Sequence, residues 1–295
     1  MLFKLLIALW RRLGFLPLSW LHAIGRWLGR LYDRIPNRER RAAEVNLELC
    51  FPELSARERA ALRRQVMQEM GCSLMELSAI WFRPTRAVEA LVREVSGGEL
   101  LERPPGEGLI VLSPHLGCWE IIGLMLPLHG PTTSLYRPPR KTELEPLMRA
   151  VRERSGAILV PTDTQGVKRI YQTLQAGGMT GILPDQQPAS TSGSVFAPFF
   201  GVPALTMLLV NRLARKTGAR VVFAYAERLP KGAGFHIHYL PAPAGVADKD
   251  PEVAATALNA GLEQMIRRLP AQYQWSYRRF RIRPDAAPSP YHRKR

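Results

Sequence analysis

The clearest chemical potential in the sequence lies in a histidine and a glutamate five residues apart, His115 and Glu120. His115 follows a short apolar run at 108–113 and a proline, and it precedes Gly117; Glu120 falls on the first turn of the segment after it. An imidazole there can take a proton from a hydroxyl, and a carboxylate at its other nitrogen would fix the tautomer and stabilise the imidazolium. The nucleophile that would complete a triad is dispensable when the substrate hydroxyl is itself activated. Cys118 and Ser113 compete for that role. Cys118 has the character of a small packed hydrophobe, and no Gly-x-Ser-x-Gly elbow surrounds Ser113. Taken alone, the pair is equally compatible with a structural hydrogen bond or with two separate surface groups.

The elements that must position these residues read as alternating strands and helices. Strands are expected at 108–113, 134–136, 157–160, 179–183 and 220–226, the last pairing with 236–240. Helices are expected at 117–128, 143–154, 166–175, 205–216 and 253–269. This alternation predicts an α/β fold, a central mixed sheet flanked by helices, with the histidine at the carboxyl end of a strand where such sheets place their sites. Before it, residues 37–99 read as helical. Ser55 and Glu58 form a capping-box signature for a helix at 56–82, which Pro84 ends. The chain thus divides into a membrane-associating helical extension at 1–35, a helical region at 36–104, the α/β domain at 105–283 and a basic tail at 284–295, expected to be unstructured.

Forty-one Lys and Arg against 25 Asp and Glu give a net charge of +16, so the partners should be anionic. Cys50, Cys72 and Cys118 form no CxxC pair, which argues against a disulfide framework and a zinc site. The first 35 residues hold no uncharged run of 18. As helices they are amphipathic: Trp20, Leu21, Ile24, Trp27, Leu28 and Leu31 share one face, with His22, Arg26 and Arg30 opposite. That pattern suits a helix lying in a lipid head-group layer.

Six blocks in order resemble one family. Ser-Pro-His-Leu-Gly-Cys-Trp-Glu at 113–120 is similar to the H-x4-D/E motif of glycerolipid and lysophospholipid acyltransferases, and in detail to the late acyltransferases of lipid A biosynthesis. Residues 41–53, with Asn46 and Cys-Phe-Pro-Glu at 50–53, resemble that family's N-terminal helical region. Tyr-Arg-Pro at 136–138, Ile-Leu-Pro-Asp-Gln at 182–186, Ala-Pro-Phe-Phe-Gly-Val-Pro at 197–203 and Gln-Trp-Ser-Tyr-Arg-Arg-Phe at 274–280 follow. Three positions depart from the pattern, all on its acceptor side: Pro139 and the residues after it replace an Asn-Pro pair, Gln187 follows Asp185 and Gln186, and Tyr277 stands where His is usual.

The resemblance implies O-acylation of a lipid A precursor, a phosphorylated glycolipid, from acyl-acyl carrier protein. It places the enzyme on the cytoplasmic side of a bacterial inner membrane, with no cofactor and no metal. His115 would be the base, oriented by Glu120, and no acyl-enzyme forms. Arg152 would stabilise the oxyanion, with Arg154 as its neighbouring alternative, and Asp185 would support the site; their plain readings are a solvated helix face and a turn cap. Arg137 is a candidate phosphate ligand, and Arg278 and Arg279 are candidates for acidic head groups. Phe199 and Phe200 would line an acyl channel or simply pack the core. Two competitors stand beside this reading. One is a lysophospholipid or aminolipid acyltransferase using acyl-carrier protein or acyl-coenzyme A. The other is a basic membrane-peripheral binding protein; a nucleic-acid binder lacks any stacking or groove-reading motif. His129, His236 and His238 lack the spacing of a ligand set with His115.

Overall fold

A computed structural model describes residues 2–139 and 142–291. Two helices open the chain, α1 (Leu2–Leu13) and α2 (Leu18–Arg34), followed by α3 (Arg38–Cys50) and the long α4 (Ala56–Phe82). Ser55 and Glu58 form the expected reciprocal capping box at the start of α4. α5 (Thr85–Glu89) leads into the body of the molecule.

The body is a five-stranded mixed sheet in the order β1-β9-β8-β2-β5. Its strands are β1 (Val92–Ser96), β2 (Leu109–Leu112), β5 (Met179–Ile182), β8 (Arg220–Arg228) and β9 (Phe235–Pro241). β2 runs parallel to both its neighbours, and β8 and β9 form the expected antiparallel pair. β3 (Thr133–Tyr136) and β4 (Ile158–Pro161) make a separate parallel pair. β6 (Ser194–Phe199) and β7 (Val202–Met207) make an antiparallel hairpin. Between the strands lie α6 (Trp119–Met125), α7 (Glu145–Glu153), α8 (Thr164–Gln175) and α9 (Leu209–Thr217), with α10 (Pro251–Arg268) last.

All four residues of β2 are buried because the sheet is covered on both faces. Alternation divides them. Ile110 and Leu112 join one apolar cluster with Ile170, Phe223 and Leu262, while Leu109 and Val111 join another with Leu21, Ile80 and Ile121. The α/β fold with flanking helices is therefore as expected.

Three expectations change. β1 lies within the stretch read as helical; five residues of mixed polarity carry little periodic signal, and β9 alone pairs with it. Leu205 to Met207 are strand rather than the start of a helix, because they pair with Ser194 to Phe196 across the β6–β7 hairpin. The tail is ordered through Tyr291: its ring is buried, its hydroxyl donates to Asn46 Oδ1 at 2.5 Å, and it accepts from the Phe280 N–H. Residues 292–295 of that tail lie outside the described residues.

Residues 2–34 form the two helices α1 and α2, but their faces are used differently from the expected split between lipid and water. Leu18, Leu21, His22, Gly25 and Gly29 are buried, and α2 crosses α4 so closely that a Cβ on Gly71 would meet the Gly25 carbonyl oxygen at 2.0 Å. Arg26 reaches Glu69 and Arg30 reaches Gln68, so the polar side turns onto α4. Trp20 and Trp27 stay 64% and 56% exposed, and Leu5, Leu6, Leu9 and Phe15 are exposed with them. Among the described residues, no helix is long and apolar enough to cross a membrane.

Candidate active site

The loop after β2 is pinned before it reaches α6. The Ser113 N–H extends the sheet by donating to the Ile182 carbonyl at 3.0 Å. The Gly117 and Cys118 N–H groups then donate to the Gln272 and Ala226 carbonyls, and the His115 carbonyl accepts from the Gln274 N–H. Gly117 has φ +60°, and a Cβ there would lie 1.9 Å from the Ala226 carbonyl oxygen, so only glycine passes. This tight passage holds His115 at the strand's carboxyl end.

Asp185, just beyond β5, grips His115 twice. Its Oδ1 lies 2.9 Å from the ring Nδ1, and its Oδ2 accepts the His115 backbone N–H at 3.1 Å. Burial alone would raise this carboxyl, but the adjacent imidazole and these hydrogen bonds hold it below the ordinary carboxylate value. With Nδ1–H donated to the carboxylate, Nε2 presents its lone pair, and Gln186 Nε2 sits 3.2 Å from it. The Trp119 ring packs against the imidazole at 4.9 Å between centroids.

Glu120 is engaged elsewhere. The orienting carboxylate expected from Glu120 is supplied at Nδ1 by Asp185, because Glu120 faces α7 and is captured by Arg152. Arg152 Nη2 donates to Glu120 Oε1 at 2.5 Å and Nε to Oε2 at 3.2 Å, a two-pronged pair. The guanidinium lies over the Trp119 and Tyr136 rings at 5.6 and 5.9 Å. Burial would lower the Arg152 pKa, yet Glu120 raises it above the ordinary value, so the cation persists. The pair forms the charged wall of a pocket lined mostly by apolar groups, among them Ile122, Leu126, Leu135 and Leu159. Ser113 also lines it, with a buried hydroxyl that has no hydrogen-bond partner among the described residues.

His115 lines a second pocket with Gly117, Met70, Ser73 and Tyr273, and Trp119 borders both. Behind it runs a buried charge network. His22 Nε2 and Arg228 both bond Glu76, at 2.9 and 2.5–2.7 Å, and Arg228 also reaches Glu69 and Ser73. Burial opposes ionisation of Glu76, but Arg228 beside it wins and brings the carboxyl down to about 2. The Arg228 main chain exchanges two hydrogen bonds with the Gln272 side chain, so α2, α4 and the His115 loop are connected through named groups.

Other expected residues fall away from this centre. Arg154 donates to the Trp81 and Ile80 carbonyls at the end of α4, a helix-capping position. Arg279 is 2% exposed and bonds the Leu205 carbonyl and the Thr206 hydroxyl, so it offers no open face to a lipid head group. Phe199 and Phe200 are buried, and Phe200 meets Phe51 and Trp275 ring to ring. Arg137 is exposed beside the β3 end, and Arg278 is half-buried over the Tyr291 ring. Cys118 is buried with its thiol pushed well above the ordinary value by burial, and all three cysteines are free. Trp119 and Gln186 are contacts of the imidazole that sequence reasoning missed; each is adjacent to a motif residue, which was the available signal.

Comparison with known proteins gives a consistent set of relatives. A family model described as bacterial lipid A biosynthesis acyltransferase matches residues 1–282. The lipid A biosynthesis lauroyltransferase of Escherichia coli (strain K12) is 32% identical over 279 residues, covering 94% of this chain and 90% of its own length. The palmitoleoyltransferase of the same organism is 30% identical with the same coverage. Its myristoyltransferase is 26% identical, over 90% of this chain and 83% of its own.

Proposed function

This chain belongs to the bacterial lipid A biosynthesis acyltransferases and is an acyltransferase; from that premise we propose that it moves a fatty acyl group from acyl-acyl carrier protein to a hydroxyl of a phosphorylated lipid A precursor, with His115 as the base. The observation that carries the proposal is the position of His115, held by Asp185 and bordering one pocket while Trp119 and Glu120 face another. The apolar pocket suits the acyl chain, and the second suits the acceptor.

His115 Nε2 takes the acceptor hydroxyl proton while Nδ1–H stays on Asp185. Gln186 keeps the lone pair occupied until the hydroxyl replaces it. The acceptor oxygen attacks the thioester carbonyl carbon and the carbon–sulfur bond breaks. The imidazolium then returns the proton to the departing thiolate. Arg152 offers its remaining N–H groups to the transient oxyanion, since Glu120 occupies only two of the five. The exposed Arg137 serves an acceptor phosphate, and the half-buried Arg278 meets acidic head groups. The enzyme lies on the cytoplasmic leaflet through Trp20, Trp27 and the exposed leucines of α1, and its positive charge attracts both the acidic carrier and the anionic membrane surface.

The test is reconstitution. The purified chain in detergent, given acyl-carrier protein thioester and a phosphorylated lipid A precursor, should form product heavier by one acyl group, and His115→Ala should not. Acylation of lysophosphatidate with the glycolipid ignored would overturn the acceptor; turnover with acyl-coenzyme A alone would overturn the donor.

A further inference from the structure

A second cluster of chemical groups lies on the sheet and makes no contact with the His115–Asp185 pair among the hydrogen bonds of the described residues. β9 carries His236 and His238, two residues apart, so both rings leave the same face of the strand. Register sets carboxylates on either side of them: His236 pairs with Glu94 on β1 and with Glu227 on β8. One nitrogen from each histidine and one oxygen of Glu227 lie within 4.8 Å of one another, and all three side chains are partly open to solvent. Glu94 Oε2 lies 3.5 Å from His236 Nδ1.

The surroundings favour a bound ion over a plain hydrogen-bond ladder. Each His236 nitrogen has a partner, Glu94 at Nδ1 and the Ser96 hydroxyl 2.8 Å from Nε2, so whichever nitrogen faces a metal, the other is fixed. The His238 ring stacks on Tyr225 at 4.5 Å, which sets its plane, while Nε2 lies 3.1 Å from Glu227 Oε2. Arg268 is the nearby cation, while the Glu227 and Glu94 carboxylates face His238 and His236 at 3.1 and 3.5 Å. Two imidazoles with carboxylates match zinc and its first-row neighbours, whereas calcium and magnesium take oxygen sets.

We propose that Glu227, His236 and His238 form a divalent transition-metal site that ties β9 to β8 near the edge of the sheet. The site is independent of the acyl-transfer reading. The test uses the full chain, purified without a histidine tag, stripped with chelator and titrated with Co²⁺ and then Zn²⁺. The expected result is about one Co²⁺ per chain with ligand-field absorption that Zn²⁺ displaces, and a melting temperature raised by Zn²⁺. His236→Ala and His238→Ala should each weaken binding by roughly tenfold or more. Glu227→Gln, which preserves side-chain shape, should do the same if an alanine variant folds poorly. Absence of Co²⁺ binding to the wild type would overturn the proposal. So would binding that survives all three substitutions, or that is lost only in His115→Ala.

Discussion

Asp185 holds both the ring and the main chain of His115, so one carboxylate fixes the tautomer and the place of the proposed base. Asp185→Asn should therefore lower kcat by about 10²–10⁴-fold with little change in KM for the acyl donor, as expected where a base loses its orienting partner. Steady-state kinetics on the detergent-solubilised enzyme would check this, and an unchanged kcat would return the orienting role to Glu120. At Gly117, alanine would meet the Ala226 carbonyl and an unfavourable φ together, so Gly117→Ala should yield little folded enzyme by melting and gel filtration. His115 itself was legible because a strand, a proline and a glycine bracket it. Its carboxylate partner was not, because five residues of sequence do not say which way Glu120 turns, and the residue that captures it is Arg152, 32 positions on.

The N-terminal hairpin shows the same limit for an element. Its amphipathic character was readable, but the face given to protein was not: Gly25 and Gly29 create the close approach to α4, and His22 is drawn inside by Glu76. Replacing Trp20 and Trp27 together with serine should release the protein from anionic vesicles in a flotation assay while leaving turnover of detergent-dispersed substrate intact, since both side chains point away from the body. Glu76→Ala should cost about 3 kcal/mol in denaturant unfolding, because buried Arg228 and His22 both lose their carboxylate partner and Arg228 is left with Glu69 and Ser73. The pH dependence follows from the depressed carboxyl. With Glu76 at about 2 in the folded protein against an ordinary 4.5, its stabilisation is complete above about 4.5 and is lost as pH falls toward 2. Glu76→Gln should flatten that acid limb in melting curves.

For the molecule as a whole, the alternation of apolar runs with helical segments was enough to give the layered sheet, since β2 is short, apolar and fully buried and β5 pairs beside it. The β6–β7 hairpin was missed because its residues 202–207 merge in sequence with the helix that begins at Leu209. Acyl-chain length lies beyond the family relationship: relatives of 26–32% identity are named for lauroyl, palmitoleoyl and myristoyl transfer. The central claim, acyl transfer to a lipid A precursor with His115 as base, is tested most directly by mass spectrometry of lipid A from cells lacking this chain, complemented with wild type or His115→Ala. The account predicts loss of one acyl mass, restored by the wild type and not by the variant. Lipid A that is unchanged by the deletion, or restored equally by His115→Ala, would contradict it.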